Sequence, residues 1–174
     1  LGLGAVKGER AQFPTSSQLD HDEARGRVLH FFANHELLAL ELMALTLLRF
    51  PDAPEAFRRR LVATMRDEQR HMTLYIERMK TLGVELGEIA LNSFFWDLLS
   101  SIKNPMEFVT GMSLTFEQAN LDFSLYYRDA FREMGDTATA DIMHTVLIDE
   151  VAHVRHGLHF FDAWRPPEIS QWEA

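Results

Sequence analysis

No cysteine occurs in the 174-residue chain. That excludes disulfides, a thiolate metal site and a cysteine nucleophile, and it fits a reducing compartment, so the expected location is the cytoplasm. Basic residues are also in short supply: 17 Lys and Arg stand against 26 Asp and Glu, a formal net charge of −9. A broad nucleic-acid footprint needs the opposite balance, so nucleic acid is not expected as a partner, although Arg58, Arg59 and Arg60 form a local basic run. Long apolar runs are missing too. The longest, LLALELMALTLL at 37–48, is interrupted by Glu41 and is too short to span a bilayer, so no membrane is expected. No secretory signal peptide is visible. The first residue is leucine, which is expected of a trimmed or processed chain or of a piece of a longer protein. Strand signals are nearly absent.

What is present is helical periodicity cut by a few glycines and prolines. The length suits one domain with a core of its own. Residues 1–19 show no clear period and read as an N-terminal arm. From Asp20 to about Phe50, Val28, Phe31, Phe32, Leu38, Leu42 and Leu45 recur at helical spacing. PDAP then breaks the chain. Asp52 is the expected N-cap of a second helix, with Pro54 just inside it and Glu55 completing a capping box. Gly83 stops that helix after Leu82. Residues 83–104 form a long connection with the bulky cluster FFWDLL, and Phe94, Phe95 and Trp96 are expected to cap one end of the helices. Asn104 and Pro105 open a third helix that runs to about Met134. Gly135 ends it, and Asp136 caps a fourth that runs to about Trp164, where RPP stops it. The expected fold is therefore all-α: a four-helix bundle over 20–164, two helical hairpins joined by one long crossover, with a C-terminal tail over 165–174.

The hairpins look like copies. RDEQRH at 66–71 and IDEVAH at 148–153 both contain Asp-Glu-x-x-His, 82 residues apart. Setting Glu36 over Glu117 uses an offset of 81 and puts Glu41 over Asp122. A one-residue shift in the loop reconciles the two offsets.

A Glu and a His three apart on a helix share a face, about 60° apart in rotation. Two such pairs, Glu68 with His71 and Glu150 with His153, plus one Glu from each remaining helix, give four carboxylates and two imidazoles. That set suits two first-row metal ions bridged by carboxylates, the pattern of di-iron and di-manganese carboxylate bundles. Glu36 and Glu117 are the expected lone carboxylates. Each sits among apolar residues, where a carboxylate is costly unless paired, protonated or metal-bound. Glu41 lies five residues from Glu36 and cannot share its face, so Glu41 and Asp122 read as flanking groups. Asp67 and Asp149, one turn before each histidine, are expected to accept the outer imidazole N–H, from their own helix or from the opposite half.

Four segments carry a resemblance: NHELLALELMA, RDEQRHMTLY, GMSLTFEQANLD and DEVAHVRHGLHFF. Over residues 25–164 the chain resembles a bacterial ferritin-like family of unassigned function. That family stands in a superfamily with rubrerythrins, bacterioferritins, bacterial multicomponent monooxygenases, the ribonucleotide reductase radical subunit and a di-iron tRNA hydroxylase. The resemblance implies that Glu36, Glu68, His71, Glu117, Glu150 and His153 are metal ligands, with Glu68 and Glu150 as bridges. It implies two metal ions, iron first, with manganese or a mixed pair as alternatives.

Tyr75, one turn after His71, reads either as a core tyrosine with a bonded hydroxyl or as a redox or pocket residue. Gly157, the matching position after His153, implies open space on that side. Thr110, Ser113, Asn120 and Ser124 approximately share the face of Glu117 and read as a small polar surface or as tight packing. His35, His144, His156 and His159 read as flanking. The expected function is an oxygen-activating oxidoreductase or hydroxylase with dioxygen and a small-molecule substrate as partners, an electron donor beside it, and a homodimer as one admissible assembly. Iron oxidation and storage or peroxide scavenging is the first alternative, and a helical scaffold with a structural metal the second.

Overall fold

A computed structural model describes Pro14 and residues 18–170 of the chain. Most of the expected N-terminal arm and the last four residues of the expected tail lie outside the described residues. Those described are all-helical, with no strand among them. The helices are α1 (Asp22–Arg49), α2 (Glu55–Thr81), α3 (Phe94–Leu99), α4 (Pro105–Phe108), a π-helical segment (Val109–Phe116), α5 (Glu117–Glu133) and α6 (Thr137–Trp164). Helix α1 packs along α2, α5 packs along α6, and α2 meets α6 between the two pairs.

The ends follow local chemistry in most places. Gly83 and Gly135 adopt φ of 77° and 87°, the left-handed conformation that closes a helix without a Cβ penalty. Asn104 accepts a hydrogen bond from the Glu107 amide with Pro105 at the first helical position. Asp136 accepts from the Thr139 amide at 3.0 Å. The same aspartate also meets Arg78 at 2.8 Å and Arg25 at 3.2 Å, so one cap ties α1 and α2 to the start of α6.

Two expectations fail. Asp52 does not cap α2: Pro54 is the N-cap, at φ −48° and ψ 134°, and no side chain caps the helix. The acid sits two residues too early, inside the turn that Ala53 closes onto Phe50. The third helix is also not one regular α-helix. Between α4 and α5 the chain winds for eight residues as π-helix and returns to α-helix at Glu117. Such segments are rare and concentrate at functional sites.

Two apolar clusters fill the interior. One gathers Leu29, Phe32, Tyr75, Phe131 and Met143 among others. The second gathers Leu42, Phe57, Phe95, Phe108 and Met112. Burying an aromatic side chain of this kind contributes about 2–3 kcal/mol. Phe95 of the crossover is buried and stacks on Phe116 at 4.1 Å, whereas Phe94 and Trp96 stay on the surface, so one of the three expected capping aromatics fills the core. His30 Nε2 accepts from the Gly87 amide, and Asn34 exchanges hydrogen bonds with the backbone of Asn92. The crossover is thus pinned to α1 by side chains. By length and composition α1 could cross a bilayer, but half of its apolar window is buried inside the protein.

Candidate metal centre

Each long helix buries acidic or imidazole side chains between the two apolar clusters: Glu36 on α1, Glu68 and His71 on α2, Glu117 on α5, and Glu150 and His153 on α6. All six are buried, none more than 5 % exposed. One ligand atom from each of Glu36, Glu68, His71 and Glu150 lies within 4.8 Å of the others. The same holds for Glu68, Glu117, Glu150 and His153. Glu68 and Glu150 belong to both groups.

The imidazoles face inward through Nδ1. His71 Nδ1 lies 3.3 Å from Glu68 and 3.8 Å from Glu150. His153 Nδ1 lies 3.0 Å from Glu68 and 3.1 Å from Glu150. Outward, the pairing crosses between the halves. His71 Nε2 donates to Asp149 at 2.9 Å, and His153 Nε2 donates to Asp67 at 3.4 Å. Each aspartate therefore meets the histidine of the opposite half, the second of the two arrangements the sequence admits. Arg70 joins the aspartates, at 2.6 Å from Asp149 and 3.4 Å from Asp67.

Electrostatics without a cation is strained. Burial, then the Glu68 and Glu150 charges, raises the Glu36 carboxyl well above its usual range. Burial and the same two charges do likewise to Glu117. Glu68 moves the other way: burial opposes its charge, but hydrogen bonds from His153 and His71 outweigh that and hold it below the usual range. Burial lowers His153, yet bonds to Glu150 and Glu68 win and push it up to about 12. Burial likewise opposes the charge of His71, and its bond to Glu68 raises it overall. The shifts of Glu36, Glu117 and the two imidazoles all favour added positive charge at the cluster, the charge a cation would supply.

Unmet bonding capacity accompanies the charge. Glu36 Oε1 and Glu117 Oε1 are buried with no hydrogen-bond partner. The donor set, carboxylate oxygens with two inward imidazole nitrogens and outer carboxylates on the far ring nitrogens, fits a pair of divalent cations.

Several neighbours differ from the sequence expectation. Tyr75 is a core tyrosine, stacked on Phe32 at 5.6 Å, but its hydroxyl has no partner. Burial and the nearby Glu36, Glu150 and Glu68 charges raise it well above the usual phenol range. Gly157 does not leave open space: a Cβ there would meet Ser113 Cβ at 2.3 Å, so the glycine lets α6 lie close against the π-helical segment. Asn120 donates to Glu150 at 3.0 Å, a contact with the site that the sequence only suggested as a shared face. Ser124 is fully buried with an unpartnered hydroxyl, and Thr110 bonds back to the Met106 carbonyl. Glu41 and Asp122 are exposed and stand outside the cluster. His35 packs between Phe31 and Phe95, and burial lowers it to about 4. His144 and His159 are exposed, and His156 lies beside the centre without joining either group of donors.

Fold and site together define an all-helical protein with a buried carboxylate–histidine cluster that could hold metal ions. The chain belongs to the DUF455 family of proteins of unknown function, whose family model matches residues 6–172. It is also similar to an uncharacterized protein of Haemophilus influenzae, 26 % identical over 150 residues, which covers 82 % of this chain and 52 % of the relative. The chain thus spans about half the length of that curated relative. No solved structure matches it.

Proposed function

We propose that this protein is a ferritin-like di-metal carboxylate oxidoreductase, with two iron ions as its cofactor and dioxygen and a small organic molecule as its substrates. The observation that carries the reading is the pair of overlapping donor groups. Each has three carboxylates and one imidazole, and both use Glu68 and Glu150. Sharing two carboxylates is what bridging a pair of cations requires. The packing of α1 with α2 and of α5 with α6 around this layer supports a four-helix bundle of the ferritin-like kind.

In this reading Glu36 and His71 complete one cation position, and Glu117 and His153 the other. Ferrous ions there would supply electrons to dioxygen and Lewis acidity to bound oxygen groups. The overall hydroxylation puts one oxygen atom into a C–H bond and releases the other as water, with two electrons and two protons from a separate reductant. The chain's own residues set the stage. Asp149 and Asp67 hold the outer imidazole protons and so direct the Nδ1 lone pairs inward. Asn120 fixes one oxygen of Glu150. Phe32 and Tyr75 exclude water on the His71 side.

Oxygen uptake by the anaerobically ferrous-loaded protein tests the redox half of the proposal. Consumption of dioxygen in proportion to bound iron supports it. Bound iron that stays ferrous in air contradicts it and leaves a structural metal as the alternative.

A further inference from the structure

The two sides of the centre are unlike. On the His71 side the site is more closed: His71 and Tyr75 show no exposure and Glu36 shows 2 %. On the other side Glu117 and His153 retain 4 % and 5 %. A cavity of about 30 Å³ begins there, with those two residues in its lining. Its walls are mostly apolar, including Met43, Phe57, Phe108 and Phe160, and its polar lining residues beyond the centre include Thr64, Ser113, His156 and Arg60.

That volume holds a water or a dioxygen molecule, not a whole organic substrate. A substrate reaching the centre this way leaves its bulk outside and sends in one slim apolar end. What waits outside is cationic. Arg60 is exposed and, among the described residues, makes no ion pair, whereas its neighbour Arg59 is engaged with Glu55 at 2.6 Å. His156 carries a buried Nδ1 with no hydrogen-bond partner. Burial first, then the charges of Arg60, His153, Arg155 and His159, lowers its proton affinity. In a chain of net charge −9 this cationic mouth is a local reversal of sign, and a guanidinium beside an apolar slot selects carboxylate or phosphate.

We propose that the cavity between α2, the π-helical segment and α6 is the substrate entrance, and that its substrate is a small organic anion with a slim apolar end, the anionic group held at Arg60 and His156 and the apolar end directed at Glu117 and His153. The inference rests on the reading above for the chemistry at the cavity floor, but not for the binding itself. The four carboxylates of the centre repel an anion that comes close, which favours a substrate whose charge stays at the mouth and whose uncharged end goes in.

The test is binding of hexanoate against 1-hexanol, followed by NMR shifts of the His156 ring and the Gly157 amide, in metal-free and zinc-loaded protein, with zinc content measured separately. Expected is a preference for hexanoate of about tenfold, the factor a charge-assisted hydrogen bond gives. Arg60→Gln should abolish that preference and leave zinc content unchanged. Arg58→Gln, on an α2 arginine that lines a different hollow, should keep it. Equal binding of acid and alcohol, no shift at His156 or Gly157, or a preference that survives Arg60→Gln overturns the proposal. Failure to take up zinc with the hexanoate preference intact would instead count against the metal centre alone.

Discussion

His71 on α2 donates its outer N–H to Asp149 on α6, at 2.9 Å, although Asp67 lies one turn away on its own helix. The reciprocal contact joins His153 to Asp67 at 3.4 Å. Each half of the repeat thus orients the imidazole of the other, and the outer carboxylate partner of each histidine comes from the opposite hairpin.

This crossing makes a specific prediction. Asp149→Asn should weaken metal at the position completed by His71, and Asp67→Asn at the position completed by His153. A lost outer partner typically costs about 10–100-fold in metal affinity. Competition with a chelator gives the affinity, and imidazole nitrogen NMR of zinc-loaded protein shows which ring has changed. A change at the histidine of the same helix contradicts the crossing.

Stability of the metal-free protein should fall as pH rises. Glu36, Glu117, His71 and His153 all have folded proton affinities raised above their ordinary values of 4.5 or 6.5, His153 to about 12. Above pH 6.5 the folded chain binds more of these protons than the unfolded one. Their contribution is therefore lost progressively as pH rises toward the folded values. Glu68, shifted the other way, acts only near and below its ordinary 4.5. Metal binding displaces the same protons, so metal affinity should rise over this range. Thermal unfolding between pH 6.5 and 9 should show Tm falling without metal, and metal-induced stabilisation growing.

Tyr75→Phe should leave the fold intact and raise the stability of the metal-free protein by about 1 kcal/mol, because it removes a buried hydroxyl that has no partner. Tyr75→Ala should cost about 3–5 kcal/mol through the cavity left against Phe32. Denaturant unfolding of both variants checks the pair. A marked loss of stability in Tyr75→Phe would mean the hydroxyl is bonded after all.

Gly157→Ala should destabilise by about 1–3 kcal/mol, since its Cβ would overlap Ser113 at 2.3 Å and force α6 from the π-helical segment. Ser113→Gly in the same chain should recover part of that loss, and thermal melts of the single and double variants measure the coupling.

Much of the site was legible because its signal is local. Glu68 with His71 and Glu150 with His153 are three apart on helices, and that spacing alone sets two donors on one face. Glu36 and Glu117 stood out because a carboxylate inside an apolar stripe needs a reason. What was not legible depends on how helices face one another. Whether Asp149 serves His71 or His153 is decided by the rotation of α6 against α2. The role of Gly157 is decided by how near Ser113 comes. The π-helical winding before Glu117 was hidden because Val109–Phe116 mixes apolar with small polar residues and carries no periodicity that separates one helical pitch from the other. Asp52 misled because a capping-box pattern does not say which residue the helix starts from, and Pro54 claims that position.

We propose that Glu68 and Glu150 are shared by two cation positions while Glu36 and Glu117 each serve one. The most direct measurement is an anaerobic ferrous titration of the purified protein, read as ions bound per chain. We expect two for the parent, one for Glu36→Gln and one for Glu117→Gln, and weakened binding at both positions for Glu68→Gln. A parent chain that binds no ferrous ion, or one ion only and unaffected by these substitutions, would contradict it.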